Sequence, residues 1–238
     1  MSSVGIIANP AAGRDIRRLV AHGRLVPNQE KVNVIRRVFT GLSAIGVEKV
    51  ILMPDVSMLA KIAADGISCG PRFDILDMPI MNNEQDSTKA AKLMTEMQVG
   101  CLVTLGGDGT NRAVAKGSSN TPLIPISTGT NNVFATTVEG TVAGMVAAVI
   151  ANGVVDISSV TKVASRLDIQ IDNIQRDIAL VDLAVSKEHF IGSRAIWDIS
   201  TIHEIFLAHA ELGKIGLSAI GAMPVSYTHL TLPTNREV

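Results

Sequence analysis

The sequence predicts an α/β protein, and two patterns carry that prediction. Up to Asn152, short apolar runs alternate with longer helix-compatible segments; such alternation is typical of a mostly parallel sheet covered by helices on both faces. After Gly153, polar and apolar residues alternate singly, as they do in half-buried antiparallel strands. We therefore expect a Rossmann-like domain over residues 1–153, followed by a β-rich second domain over residues 154–225.

The elements of the first domain follow from local patterns. Each predicted strand is a short apolar run bounded by glycine, proline or polar residues. In the first predicted helix, Val32, Ile35 and Phe39 recur at helical spacing and would pack on the sheet. The side chain of Asn83 is expected to cap the third helix. The predicted strands are Val4–Ala8, Lys49–Met53, Phe73–Leu76, Cys101–Leu105 and Leu123–Ile126, and the predicted helices are Gln29–Ala44, Met58–Ala64, Glu84–Gln98, Asn111–Lys116 and Thr141–Ala151.

The second domain is predicted to begin with a hairpin. The alternating segment Arg166–Asp172 reads as one strand, and Arg176–Val185 as its partner across the Asp172-Asn173 turn. A helix over Thr201–Ala210 and a strand over Lys214–Ala222 are expected to follow.

Composition limits the class of protein. Apolar residues make up 47% of the 238 residues, charged residues 18% and aromatic residues 3%, and the net charge is −1. This balance supports a substantial core and gives no reason to expect nucleic acid or a membrane as a partner. Cys69 and Cys101 form no motif, and with no signal peptide in the sequence they predict a cytoplasmic protein. Whether the full-length protein forms a homo-oligomer is left open.

The most informative stretch is Cys101–Thr110, where an apolar run ends in three glycines around one aspartate. Asp108 should follow the carboxyl end of a strand, which is where open α/β sheets bind ligands. Gly106, Gly107 and Gly109 would let the backbone turn sharply and approach a ligand, and N–H groups at the next helix start favour a phosphate. These features indicate phosphoryl transfer. The alternative is an ordinary strand-to-helix turn with Asp108 as the N-cap.

Two further polar loops follow predicted strands. One is Asn9–Arg14, after the first strand, and the other is Ser127–Asn132, after the fifth. Their hydroxyls, amides and backbone N–H groups suit a polyphosphate or a ribose. Either loop alone would be ordinary turn chemistry. Three such loops at the carboxyl ends of strands in one domain predict a nucleotide site.

The three loops also resemble a known family. Asn9-Pro-x-x-Gly13, Gly106–Thr110 and Gly129–Asn132 occur in the order found in the NAD kinase and diacylglycerol kinase superfamily, whose shared signature is Gly-Gly-Asp-Gly-Thr. The third loop resembles the second nucleotide loop of the lipid-kinase branch. Over about residues 4–225 the chain is similar to the ATP-NAD kinase-like proteins of the acetoin-catabolism protein X group, through the segments Asn9–Arg18, Asn131–Ala135, Val163–Asp168 and Ala195–Asp198.

The resemblance implies an ATP-dependent kinase that phosphorylates a ribose hydroxyl of NAD, with Mg²⁺ neutralising the phosphates. Asp108 matches the signature aspartate, which would accept the hydroxyl proton or hold Mg²⁺. Arg14 would clamp a phosphate. The other nucleotide-binding residues that the resemblance implies are Asn9, Gly13, Gly106, Gly107, Gly109, Thr110, Thr128, Gly129, Thr130, Asn131 and Asn132.

Departures from the family pattern leave the acceptor open. NAD kinases hold NAD with an Asn-Glu pair in the second domain, where this chain has Val181-Asp182; Asp182 would supply the acid, but no amide is present. One alternative is a lipid or sphingoid-base kinase, which the third loop favours and the lack of an exposed apolar segment disfavours. Another is a regulatory module that binds NAD or ATP without turnover.

The segment Ser226–Val238 has neither a helical nor a strand period. It resembles translated sequencing-adapter read-through, so we expect a truncated second domain followed by a non-native tail. Because the resembled enzymes complete their acceptor pocket with second-domain strands, we expect this chain to be inactive by itself. An authentic flexible terminus is the alternative.

Overall fold

The computed structural model describes residues 2–13, 26–129, 132–188, 196, 198–210, 213 and 216–222. The chain divides into two compact units, residues 1–163 and 164–238. The foreign-tail prediction for residues 226–238 lies outside the described residues. Within the described residues, no helix is both long and apolar enough to cross a membrane.

The first unit is built on a five-stranded, entirely parallel sheet. The strand order is β3-β2-β1-β4-β5, so the chain leaves β1 in one direction and returns to its other side at β4. This is the Rossmann order, as the strand–helix alternation predicted. The strands are β1 (Ser3–Ala8), β2 (Lys49–Leu52), β3 (Arg72–Ile75), β4 (Cys101–Gly106) and β5 (Leu123–Ser127).

Helices cover both faces of this sheet, because the strand residues that point to either side are apolar. On one face, Val32, Phe39 and Leu42 of the first helix pack with Val4 and Val103 of the sheet. On the other face, residues of the third and fourth helices pack against the sheet in a second core cluster. The helices are α1 (Asn28–Ala44), α2 (Leu59–Asp65), α3 (Glu84–Glu96), α4 (Asp108–Ala115), α5 (Gly140–Ala151) and the short α6 (Ile157–Val160).

The element bounds agree with the sequence prediction to within a few residues, with one informative difference. Helix α4 begins at Asp108, three residues before the predicted start at Asn111. The N-cap position is held by Gly107, whose neighbour Asp108 makes no capping bond, so the N-cap alternative for Asp108 is wrong. Asn83 does cap α3, since its side chain accepts a hydrogen bond from the Gln85 N–H.

The second unit contains two antiparallel strand pairs. The predicted hairpin forms between β6 (Leu167–Ile171) and β7 (Ile174–Ala179), with Asp172 and Asn173 at positive φ in the turn. The predicted partner strand Arg176–Val185 is wrong in extent, because it runs from within β7 into β8 (Asp182–Ser186), which are separate strands.

The last two predicted elements of the second unit have the opposite type. Residues predicted as a helix form β9 (Ile202–Leu207), which pairs with β8, and α7 (Leu217–Ala222) lies where a strand was predicted. The spacing of Ile202, Ile205 and Phe206 is compatible with a helix, but the backbone of β9 pairs with β8 instead. Tertiary pairing therefore overrides the local period here.

Candidate nucleotide site

The candidate site lies where the strand order reverses. Neighbours β1 and β4 lead in opposite directions across the sheet, and ligands of open α/β sheets bind at this switch point, beyond the carboxyl ends of the strands. The N–H of Asn9, just after β1, donates to the Leu105 carbonyl at 3.0 Å. The Asn9 side-chain amide donates to the Thr110 hydroxyl at 2.9 Å. Asn9 therefore joins the first and second loops directly.

The third loop contacts both of the others. The Thr128 N–H donates to the Gly106 carbonyl at 3.2 Å, which links the end of β5 to the end of β4. Gly13, at φ +72°, lies so close to the third loop that an added Cβ would be 2.7 Å from the Thr128 carbonyl oxygen. Both this contact and the positive φ require glycine at position 13. The structure thus brings the three predicted loops together at one edge of the sheet.

The three signature glycines have different surroundings. A Cβ on Gly106 would lie 2.5 Å from the Thr110 side chain, and one on Gly107 would lie 3.0 Å from the Asn132 amide oxygen. These two glycines therefore make room for the protein's own side chains. A Cβ on Gly109 would meet nothing within 4 Å. Gly109 is the signature glycine that faces open space.

The beginning of α4 presents backbone donors beside that open space. No acceptor among the described residues bonds the N–H groups of Gly109 and Thr110, which belong to the first turn of the helix. The N–H of Asp108 donates to the Asn132 side chain at 3.3 Å. First-turn N–H groups without a protein acceptor, together with the positive end of a helix dipole, are features that favour an anion.

The Asp108 carboxylate holds the segment that follows the third loop. Its Oδ2 accepts from the Val133 N–H at 2.7 Å, and its Oδ1 accepts from the N–H groups of Phe134 and Ala135 at 3.0 Å each. A carboxylate has about four acceptor positions. Three are used here, so the remaining one lies on Oδ2. Sequence reasoning found Asp108 but did not foresee that it ties α4 to residues 133–135.

A buried polar pair fixes the start of α4 from below. The Thr104 hydroxyl donates to the Asn111 amide oxygen at 2.6 Å, and the Asn111 amide donates to the Gly107 carbonyl at 2.9 Å. Thr104 and Asn111 are both 0% exposed. These bonds hold the turn between β4 and α4 in one geometry, so the donors of the helix start are already oriented before a ligand arrives.

Lys31 is a site residue that sequence reasoning missed. Its side chain is 0% exposed, and its ammonium donates to the Pro10 carbonyl at 2.7 Å and to the Asn9 carbonyl at 3.4 Å. A signal was available, because Lys31 lies four residues before Ile35 on the apolar face of α1. A lysine on an apolar helix face has to find acceptors inside the protein.

Burial raises the pKa of the Asp55 carboxyl, in the loop between β2 and α2. The N–H groups of Ser57 and Leu59 donate to this carboxyl at 2.8 and 3.0 Å, and they lower its pKa in opposition to burial, as does the charge of Lys31. Asp55 is thus a second buried ionisable group, close enough to Lys31 for their charges to interact.

Comparison with known proteins agrees with this geometry. Residues 4–154 match the ATP-NAD kinase N-terminal domain. The chain belongs to the ATP-NAD kinase family. Residues 165–229 match the acetoin catabolism protein X C-terminal domain. Acetoin catabolism protein X from Cupriavidus necator is 39% identical over 231 residues, which cover 92% of this chain, and the chain spans 64% of that relative's length. The resemblance predicted from the three motifs is confirmed.

Several predicted site residues are not part of this described cluster. Arg14, Thr130 and Asn131 lie outside the described residues. Asp182 is half-buried at the start of β8 in the second unit, where it pairs in register with Leu207. Its predicted role toward NAD remains a prediction.

Among the described residues, Asp108 is a candidate ligand for Mg²⁺. No group of three His, Cys, Asp or Glu side chains among them could hold a metal. Asp108 offers one acceptor position on Oδ2, and Mg²⁺ is commonly held by one or two carboxylates together with substrate phosphates and water. Asp108 would therefore be a protein ligand of the ion, and the ion would neutralise charge on the phosphates.

Exposed apolar side chains lie at the same edge of the sheet, after β2 and β3. Met81 is 61% exposed, Val56 56% and Met58 52%. These are separate side chains, so the expectation that the chain lacks an exposed apolar segment suited to a lipid tail stays a prediction.

Proposed function

We propose that this protein is an ATP-dependent kinase of NAD, which transfers a phosphoryl group to a ribose hydroxyl and so forms NADP. The family supports a nucleotide substrate and the use of ATP and NAD in general terms. The observation that carries the proposal is the pair of N–H groups at the start of α4, those of Gly109 and Thr110, for which no described residue is an acceptor and which lie between two other loops. The name of the 39% identical relative further suggests a role in acetoin catabolism.

In this proposal the backbone binds the phosphates. The N–H groups of Gly109, Thr110 and Gly13 would donate to phosphate oxygens, while Asn132 and Thr128 of the third loop hold the second loop by hydrogen bonds to Asp108 and Gly106. Thr128 adds a buried hydroxyl with no hydrogen-bond partner among the described residues, which is available to a ligand. Fixed donors of this kind position the phosphates and stabilise the charge that develops on them.

Asp108 has two tasks in the proposed reaction. Its three main-chain bonds fix both the carboxylate and residues 133–135. Its remaining acceptor position would receive the hydroxyl of the acceptor or one Mg²⁺, and a positioned acceptor of that proton typically contributes about 10²- to 10⁴-fold in rate.

A binding and turnover experiment tests the proposal. ATP and NAD binding are measured by calorimetry on this chain, and NADP formation is measured on this chain and on the full-length C. necator relative. NADP formed by either protein supports an NAD kinase. ATP binding by both, with no transfer to NAD, would overturn it.

Two other functions have specific support. The exposed Met81, Val56 and Met58 favour a lipid acceptor, so a diacylglycerol in detergent micelles is included as a third substrate. The Asp108 carboxylate accepts three hydrogen bonds from the backbone of residues 133–135, and this structural role favours a module that binds nucleotide without turnover. Transfer to the lipid alone would support the first, and ATP binding without transfer to any acceptor would support the second.

A further inference from the structure

We propose that Lys31 is a positioning residue that sets the first phosphate loop for anion binding. The proposal rests on the proposed function only in taking the loop of residues 9–13 to bind nucleotide phosphates. It assigns to a buried lysine on α1 a role that the three sequence motifs do not contain.

The hydrogen bonds of Lys31 match its chemistry. An ammonium has three donors, and its acceptors among the described residues include the carbonyls of Pro10 and Asn9 at 2.7 and 3.4 Å and the Asn28 side-chain oxygen at 3.4 Å. Asn28 in turn donates to the Ser57 hydroxyl at 3.1 Å. A fully buried charge is costly unless it is paired and hydrogen-bonded. This network of hydrogen bonds compensates that cost.

The network determines which way the loop faces. The carbonyls of Asn9 and Pro10 are held toward Lys31, and the Asn9 carbonyl also accepts from the Ala12 N–H at 3.2 Å. The Asn9 side chain occupies the Ala11 N–H at 2.9 Å. The Gly13 N–H is the next donor along the loop, and no described residue accepts from it. Turning carbonyls inward removes negative dipoles from the surface that an anion would approach.

Lys31 also places a positive charge directly behind this loop. Charges in a poorly solvated interior act over longer distances than surface charges, because water screens them less. A phosphate bound at this loop would therefore be attracted both by the N–H donors of the loop and by the positive charge of Lys31.

The test compares Lys31→Met, which removes the charge and the donors, with Lys31→Gln, which keeps two donors without the charge. Dissociation constants are measured for ATP, inorganic tripolyphosphate and adenosine. We expect Lys31→Met to weaken ATP and tripolyphosphate by about 10- to 100-fold, and Lys31→Gln by less, while adenosine is unaffected. A structural role alone would weaken all three ligands together.

The matched control is Lys61→Met, at an exposed position on α2, which should leave all three affinities unchanged. Circular dichroism checks the fold, and Lys31→Gln decides the question if Lys31→Met does not fold. Unchanged ATP and tripolyphosphate affinity in the folded variants, or no binding of either by the parent, would overturn the proposal. ATP binding without transfer to NAD would refute the NAD kinase and leave the Lys31 comparison intact.

Discussion

Replacing Gly109 by alanine tests the anion site with little disturbance to the protein. The added Cβ would meet nothing within 4 Å, so the methyl group projects into the open space where a phosphate is proposed to bind. The protein itself should tolerate the change. Because alanine has a higher helix propensity than glycine, we expect a gain of up to about 1 kcal/mol in the free energy of unfolding.

Gly109→Ala is expected to raise the stability of the protein and to weaken its binding of ATP. A gain of about 1 kcal/mol corresponds to a rise of about 2–4 °C in Tm for a domain of this size. The methyl group would push a phosphate away from the N–H groups of Gly109 and Thr110. Hydrogen bonds to charged groups contribute about 1.5–3 kcal/mol each, so the loss of one weakens ATP binding by about 10- to 100-fold.

Calorimetry with ATP and thermal denaturation of the unliganded protein measure the two effects. Gly107→Ala provides the contrast, because its Cβ would lie 3.0 Å from the Asn132 amide oxygen and should lower Tm. A Gly109→Ala protein with raised Tm and unchanged ATP affinity would refute the assignment of the phosphate to the start of α4.

Three further predictions concern Asp108, the thiols and the helix packing. Asp108→Asn replaces one carboxylate oxygen by an NH₂ group, which cannot accept from the N–H groups of residues 133–135. The free energy of unfolding should therefore fall by about 1–3 kcal/mol, and turnover should fall as well. A variant with parental Tm and parental turnover would contradict both roles of Asp108. Burial raises the pKa of Cys101 to about 12, so at pH 8 a thiol reagent should label exposed Cys69 quickly and Cys101 only on unfolding. Because the unfolded chain ionises this thiol above its ordinary pKa of 9, the free energy of unfolding should also fall as pH rises above 9. Gly41→Ala should lower Tm strongly, since its Cβ would collide with a backbone carbonyl of α5, and an unchanged melting curve would show that α1 and α5 can separate without cost.

The sequence determined the first unit almost completely, because its signals are local. Apolar runs of strand length and helical spacing are properties of neighbouring residues, and they located all five strands and the helices around them to within a few residues. The positions of the three loops followed, since a loop after a parallel strand must lie at the carboxyl edge of the sheet. The same reasoning failed for residues 201–222, where the type of each element differs from its local period.

Only the tertiary structure decided how the site is held together. The strand order brings Thr128 beside Gly13 and Asn9 beside Thr110, contacts that join residues about a hundred positions apart in the chain. It also gives Gly109, which faces open space, different surroundings from Gly106 and Gly107, which make room for side chains. The inward turn of the Lys31 ammonium depends on acceptors from two places in the chain, the Asn9-Pro10 loop and Asn28. Local patterns contain no information about such distant partners, because burial and hydrogen bonding are settled only when the elements pack.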